Sequence, residues 1–443
     1  MENLKTLSTH ITPTVVVTGI SHEGRGIAHI NGKITFIENA LPGETVLITY
    51  KKRRRSYDEA RSIQIINPSK DRIQPKCPHY DNCGGCNLQH LNNQAQLLHK
   101  EKTLVDQLAH FAETKPKSLL PPITGLSWGY RRRARLGVKY VAKKQAVLVG
   151  FREKNSRYLA QLHTCKTLDP RVGQLLVPIQ QLIHRLKAFE SIPQIEVAMG
   201  DNRLGLVFRH LSPLDNSDQM QLKSFAEKYQ IQLYLQPGNE NSIHCIWPEN
   251  HELLSYCLEN KRSRPLELLF EPEHFIQINS SINQAMIRRS MELLSLNFSD
   301  RILDLFCGLG NFSLPLATRC RSVVGVEGHA GLVERAKANA RHNAINNAQF
   351  YTADLTSTII KKAWAQQIFN KILMDPPRSG ALEIIRQIAH WNVERIVYVS
   401  CNPATLARDT GELIKQGYNL QQTGIMDMFP QTHHSEAICL FTK

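Results

Sequence analysis

No apolar run in this chain approaches the ~18 residues of a membrane-spanning helix, so no helical span is expected. The opening Met1-Glu2-Asn3-Leu4-Lys5 lacks the apolar region of a signal peptide, and the protein is expected in the cytoplasm. Acidic residues are in deficit. The 39 Asp and Glu face 54 Lys and Arg, and the formal charge of +15 favours a polyanionic partner such as nucleic acid, although a merely soluble or ribosome-associated basic protein shares that balance. Cysteine is sparse, ten in 443 residues. In a reducing compartment these thiols stay reduced, and clustered ones point to a metal centre or catalysis before disulfides. Nothing resembles a Lys-bearing P-loop, and the glycine turn Cys307-Gly-Leu-Gly-Asn311 is not G-x-G-x-x-G, which disfavours ATP and NAD. The length suggests about three domains.

The stretch Tyr398-Val-Ser-Cys401-Asn402-Pro403 organises the rest. Ile396 to Val399 reads as a short buried strand, and Asn402 with Pro403 is an N-cap and first-position pair that opens a helix. Cys401 therefore falls in a strand-to-helix turn. Amide N–H groups at a helix N-terminus favour an anion, so a lowered thiol pKa and a better nucleophile are expected there. From position alone, a buried cysteine acting as a small hydrophobe is an equal reading.

Taken in order, residues 1 to 10 read as a loose tail. From Thr14 to Ile66, short strands broken by glycine turns at Gly24, Gly26, Gly32 and Gly43 suggest a small barrel. Lys51-Lys-Arg-Arg-Arg55, flanked by Tyr50 and Tyr57, suits phosphates and stacked bases, with a solvated loop as the plain alternative. Cys77, Cys83 and Cys86 lie within ten residues around a Gly-Gly pair, and Cys165 follows; this density suggests a metal centre. Zinc and a [4Fe–4S] cluster both accept four thiolates, and the spacing separates them only weakly. Cys165 can complete the set, which leaves His79 a structural role. Gln89 to Thr114 reads as one or two amphipathic helices with Leu97, Leu98, Leu104, Leu108 and Phe111 at helical spacing, stopped by Pro116 and Pro121-Pro122. If Trp128 to Arg135 is a strand, Arg131, Arg133 and Arg135 share a face suited to a phosphate backbone, or simply a charged outer side. Beyond it, strand-like runs at Val147–Phe151, Gln194–Ala198, Leu204–Phe208 and Gln232–Leu235 flank one helix near Arg171 to Phe189.

The last third changes character. Arg301 to Phe306 is a buried strand, the glycine turn opens a helix, and further strands end at Glu327, Asp354 and Asp375. Strand, glycine turn, helix, strand, carboxylate is the pattern of an α/β doubly wound, Rossmann-like sheet binding an adenosine-type ligand. Three acidic strand ends in succession favour S-adenosyl-L-methionine.

Residues Val15 to Ile66 resemble a TRAM domain, an RNA-binding barrel of the OB type. Phe275-Ile-Gln277-Ile-Asn279, Asp304-Leu-Phe306-Cys-Gly-Leu-Gly-Asn311-Phe, Asp375-Pro-Pro-Arg378, Ser400-Cys401-Asn402-Pro403 and His434-Ser-Glu436 are similar, in the same order, to the motifs of the RNA uracil-C5 methyltransferases. A TRAM barrel together with the cysteine set resembles the branch acting on 23S ribosomal RNA; the tRNA branch lacks both. The resemblance implies that Cys77, Cys83, Cys86 and Cys165 hold a [4Fe–4S] cluster. It further implies that Gln277, Phe306, Asn311, Glu327, Asp354 and Asp375 line the pocket for S-adenosylmethionine and uracil, with Cys401 the nucleophile and Glu436 the base.

The implied organisation is a TRAM barrel over 1–70, a central α+β iron–sulfur domain over 71–88 and 122–265, and a methyltransferase domain over 89–121 and 266–443. The expected partner of this monomer is 23S rRNA, with no membrane and no stable protein partner. A tRNA methyltransferase and a non-catalytic ribosome-assembly factor are the alternatives, the latter opposed by the intact Cys401 and Glu436. A radical S-adenosylmethionine enzyme needs C-x3-C-x2-C with an open iron, which the wider spacing here does not offer. The basic run gives a first prediction: replacing Arg53, Arg54 and Arg55 by Ala flattens the salt dependence of RNA binding by about one log–log unit for every phosphate no longer neutralised. An unchanged slope in a salt titration makes the run a solvated loop.

Overall fold

The computed structural model describes residues 13–260 and 264–443, so the tail expected at 1 to 10 lies outside the described residues. The chain divides into two compact units. The first comprises residues up to Tyr80 with Cys86–Lys100 and Gln431–His434; the second comprises Asp81–Gly85, Glu101–Pro430 and Ser435–Lys443.

The first unit contains a six-stranded sheet in the order Thr14–Val16, Thr45–Arg53, Tyr57–Asn67, Lys33–Glu38, Gly26–Ile30, Gly19–Ile20. The two outermost strands in this order are consecutive in the chain. Thr14–Val16 pairs with Thr45–Leu47 and Gly19–Ile20 with Gly26–Ile27, so one continuous segment joins both edges and closes the sheet into a barrel. Val17, Ala28, Ile37, Val46, Ile48 and Ala60 fill it. Gly24, Gly32 and Gly43 take the positive φ expected of turns. Gly26 does not: it opens a strand, and a Cβ there would lie 2.9 Å from the Ala40 carbonyl oxygen, so close approach requires this glycine. Arg53 sits 4.1 Å from the Tyr50 ring and Arg54 5.4 Å from that of Tyr57, so the chain's own guanidinium groups cover faces expected to stack on bases.

Asn93–Phe111 is one helix of 19 residues. Leu97, Leu104 and Leu108 are buried, whereas Leu98 and Phe111 are exposed. Leu98 is rotated about 100° from Leu97 and leaves the stripe, whose intervening position is taken by the buried Lys100.

The second unit holds two large sheets. One has six strands in the order His244–Trp247, Gln232–Gln236, Leu204–Arg209, Gln194–Met199, Arg133–Val141, Ala146–Gly150. Helices Leu176–Arg185 and Asn216–Tyr229 help to build its own apolar core, including Leu136, Ile179, Ile183, Phe208 and Leu222. The helix expected near Arg171 to Phe189 is two pieces, Pro170–Gly173 capped by Asp169 and Leu176–Arg185. The expected basic face is also altered. The strand begins at Arg133, and Glu196 on the neighbouring strand pairs with Arg133 (3.6 Å) and Arg135 (3.0 Å), leaving Arg135 the exposed member of that pair.

The other sheet has eight strands in the order Ala348–Thr352, Ser322–Glu327, Arg301–Leu305, Lys371–Met374, Arg395–Ser400, Glu436–Thr442, Asn419–Met426, Ser118–Leu119. The first five run parallel, and Glu436–Thr442 inserts antiparallel between Arg395–Ser400 and Asn419–Met426. The strand order reverses between Arg301–Leu305 and Lys371–Met374, and the crevice outside the carboxyl ends at such a switch is where doubly wound sheets bind ligands. At the opposite end Lys371, 3% exposed, is paired at 2.7 Å with the fully buried Asp300. No helix among the described residues is long and apolar enough to cross a membrane.

Candidate active site

The sheet delivers the residues singled out in the sequence to its carboxyl edge. After strand Arg301–Leu305, Phe306, Gly308 and Gly310 all take positive φ (63°, 54° and 98°). For Phe306 this region is disfavoured by its Cβ, a local strain of the kind that concentrates at functional sites. Glu327 ends the adjacent strand; one carboxylate oxygen accepts the Gly308 N–H at 3.2 Å and the other the His329 N–H at 2.9 Å. Asn311 forms a reciprocal amide pair with Asn283, 2.9 Å in both directions, and also accepts the Tyr256 hydroxyl at 3.0 Å. Gln277 donates to Asp375 at 3.2 Å. Asp354 lies two residues beyond its strand, is exposed, and closes a turn by accepting the Thr356 N–H (2.9 Å) and hydroxyl (2.7 Å), which hold its carboxyl below the usual range.

Cys401 follows strand Arg395–Ser400 and precedes helix Pro403–Lys415, whose N-cap is Asn402, accepting the Ala404 N–H at 3.1 Å. The expected strand, turn and cap are all present. The expected lowering of the thiol pKa is overturned: Cys401 is pushed up to about 11, first by burial, then by the negative charges of Glu436 and Asp375, against which Arg378 acts in the opposite direction through charge and a hydrogen bond. The helix terminus is outweighed because the thiol shares an enclosure with two carboxyl groups. Those groups respond to the same enclosure. Burial and the proximity of Asp375 raise Glu436 well above the carboxylate range despite Arg378, and burial raises Asp375 to about 7 despite its bond from Gln277. The Cys401 thiol therefore shares its enclosure with two carboxyl groups that are both raised above the ordinary carboxylate range. Such groups titrate together, and a thiol beside a carboxyl group of raised basicity is an arrangement capable of addition followed by proton abstraction.

Several residues were not assigned a role from sequence. Asp304 is fully buried, accepts the Ser313 hydroxyl, leaves its second oxygen without a partner, and is pushed up to about 7 by burial. Arg378 is visible as the cation immediately after Asp375-Pro376-Pro377. Tyr256 and Asn283 carry no local signal, because only tertiary packing brings them to Asn311. Cys307, though in the glycine turn, is buried, and burial raises its thiol well above the usual value.

The four cysteines expected to hold a metal are all half-buried. Cys77 and Cys86 belong to the first unit and Cys83 and Cys165 to the second, and among the described residues no three His, Cys, Asp or Glu side chains gather as a metal site within a unit. Cys83 Sγ accepts the Gly85 N–H at 3.4 Å, and Cys165 Sγ lies 3.3 Å from the Thr167 hydroxyl. A Cβ on Gly84 would lie 3.1 Å from the Arg152 carbonyl oxygen, a tight contact, and one on Gly173 only 2.3 Å from the Cys165 carbonyl oxygen, so the backbone at Cys165 packs this closely only against glycine.

Residues 260–443 match the tRNA (Uracil-5-)-methyltransferase family model and residues 12–61 match the TRAM domain. The chain is 50% identical over 430 residues to a 23S rRNA (uracil(1939)-C(5))-methyltransferase RlmD from Nitrosococcus oceani, covering 96% of this chain and 95% of that protein. It is 47% identical to the protein of that name from Alcanivorax borkumensis, covering 96% and 95%. The crystal structure of Pyrococcus abyssi tRNA (uracil-54, C5)-methyltransferase with S-adenosyl-L-homocysteine has the same fold, with a TM-score of 0.73 at 21% identity over 97% of this chain and 100% of that one.

The elevated thiol pKa sets an expected pH dependence. In the free protein, labelling of Cys401 by a small alkylating agent, read by mass spectrometry of its peptide, rises about tenfold per pH unit without a plateau below about pH 10. Glu436→Gln removes a neighbouring negative charge and shifts that profile to lower pH. A plateau below pH 9 in the unmodified protein contradicts the assigned electrostatics.

Proposed function

The chain belongs to the RNA uracil-C5 methyltransferases, in the branch that methylates 23S ribosomal RNA at uridine 1939 using S-adenosylmethionine, and we propose that it does so through a covalent adduct at Cys401. The observation that carries this reading is the thiol of Cys401 enclosed with Glu436 and Asp375 and opposed by Arg378.

Uracil C5 is too weak a nucleophile to attack a methyl sulfonium unaided. The Cys401 proton first leaves to solvent, and the thiolate adds to C6, shifting electrons into an enolate with density at C5. Bound S-adenosylmethionine would supply an electrophilic methyl group: C5 takes it as the sulfonium S–CH3 bond breaks, and S-adenosylhomocysteine is the leaving group. The Glu436 carboxylate accepts the C5 proton, the C6–S bond breaks, and the thiolate departs with 5-methyluridine restored as an aromatic ring. A carboxylate raised by its surroundings is the stronger base for a weakly acidic carbon proton. Asp375, which bears the Gln277 bond, accepts a hydrogen bond from uracil N3–H. Glu327, beside the left-handed Phe306–Gly310 turn, suits the ribose hydroxyls, while Asn311, Phe306 and Asp354 complete the pocket wall. Since C6 is shielded in a stacked helix, the uridine is flipped out of its stack.

Cys77, Cys83, Cys86 and Cys165 are read as the ligands of a [4Fe–4S] cluster in a central domain made from 71–88 and 122–265. Four half-buried cysteines and an N–H donated to the Cys83 sulfur fit such a donor set. The cluster would supply structure for RNA binding.

Two outcomes test these assignments. Glu436→Gln retains the nucleophile and loses the proton acceptor, so with labelled cofactor and substrate RNA it accumulates a denaturation-resistant protein–RNA species carrying the methyl group; Cys401→Ala gives neither the species nor product. Normal turnover by Cys401→Ala refutes the mechanism. Cys83→Ser, purified without oxygen, loses the brown absorbance and binds RNA more weakly while cofactor binding persists. Zinc without iron in the unmodified protein refutes the cluster.

A further inference from the structure

The loop that carries Asp375 and Arg378 is fastened to the helix that follows Cys401 by bonds which converge on one fully buried carboxylate. Asp409 accepts the Tyr398 hydroxyl at 2.7 Å and the Ala381 N–H at 2.6 Å on one oxygen, while Arg408 donates to the other at 2.6 and 2.8 Å. Arg408 also donates to the Ser379 carbonyl at 2.9 Å. One turn earlier, the Asn402 side-chain amide and the Thr405 hydroxyl both donate to the Arg378 carbonyl, at 3.0 and 3.2 Å. Residues 378, 379 and 381 are thus each held by the helix. Gly380 fits between them with φ +81°, and a Cβ there would lie 2.5 Å from Arg408 Nη2 and 2.6 Å from Asp409 Oδ2, so the loop seats this closely only with glycine.

We propose that Asp409 is a positioning residue for the methyl-transfer site: by clamping Ala381, Tyr398 and Arg408 together it holds the Asp375–Ala381 loop so that the Arg378 side chain faces the Cys401 sulfur. Neither Asp409 nor Arg408 touches the reacting atoms. Tyr398 belongs to the strand that leads into Cys401, so strand, loop and helix are all bonded to this one carboxylate. The groups facing Cys401 are Arg378 and Asp375 from the loop and Glu436 from the neighbouring strand, and Arg378 is the cation among them. Releasing residues 378–381 takes the cation away and leaves in place both Glu436, which belongs to another strand, and Asp375, which the Leu305 carbonyl and Gln277 hold at the end of its own strand. The inference rests on Cys401 being the nucleophile, and its test reads the thiol directly, without RNA or methyl transfer.

The experiment is a cycle of variants in the full chain: parent, Asp409→Asn, Arg378→Met and the double variant, each shown to be folded by circular dichroism. Each is then labelled at Cys401 with a small alkylating agent across pH. Asp409→Asn is expected to slow labelling at pH 8 several-fold and shift the profile to higher pH, and to add nothing in the Arg378→Met background, because both changes remove the same cation. Thr405→Val, which loosens the same loop by one hydrogen bond and perturbs packing less, is expected to give a smaller shift that also vanishes with Arg378→Met; it decides the matter if Asp409→Asn does not fold. Parent-like profiles in the folded variants, or a shift that persists in the Arg378→Met background, overturn the proposal and leave Asp409 a contributor to stability alone. Neither result bears on methyl transfer by Cys401, which the Glu436→Gln species tests separately.

Discussion

Burial of negative charge at one edge of the sheet is the constraint on which the site depends. Cys401, Glu436 and Asp375 arrive from a strand-to-helix turn, the start of an antiparallel strand and a Pro-Pro loop; burial raises all three, Asp375 raises Glu436 further, and both carboxyl groups raise the thiol. In water such an arrangement would relax by hydration. Here the low local dielectric raises all three, and Arg378 opposes the effect on the thiol and on Glu436. The consequence is a protected thiol: one largely protonated at rest is less prone to oxidation and adventitious alkylation than an open thiolate.

The sheet makes this arrangement possible. Inserting Glu436–Thr442 antiparallel beside Arg395–Ser400 puts the beginning of one strand next to the end of the other, with Ser400 opposite Ala437 in register. A parallel neighbour would bring its carboxyl end, and Glu436, at the start of its strand, would lie at the far edge. On the cofactor side the parallel strands end together, so the Phe306–Gly310 turn and Glu327 meet through the Gly308 N–H. The Gln277–Asp375 bond ties the Pro-Pro loop to the segment that leads into helix Ser280–Leu294.

Much of this was legible in the sequence where the determinants are local. The strand before Cys401, the Asn402 cap, the acid at the end of Ser322–Glu327 and the strand turns at Gly24, Gly32 and Gly43 follow from residue order and backbone preference. What failed depends on tertiary neighbours. A helix N-terminus argues for a lowered thiol pKa, but Glu436 and Asp375 are remote in sequence and their effect, with burial, is stronger. Gly26 looked like a turn residue because nothing local reveals that Ala40 and Val17 press against it. Arg133 and Arg135 looked like a free basic face because Glu196 reaches them from a different strand. Leu98 matched a helical period approximately, and its exposure turns on a 100° rotation that a spacing pattern tolerates.

The central claim is that Cys401 bonds to the uracil during methyl transfer, and a substrate that can enter the cycle but cannot leave it tests this most directly. In a 23S rRNA fragment whose target uridine carries fluorine at C5, addition and methylation can proceed, but no C5 proton remains for Glu436 to remove. Mass spectrometry of the unmodified protein after incubation with this RNA and S-adenosylmethionine is predicted to find one methylated, fluorinated RNA adduct on the peptide containing Cys401. Protein recovered without an adduct, under conditions in which the ordinary fragment is methylated, or an adduct on any other cysteine, would contradict the account.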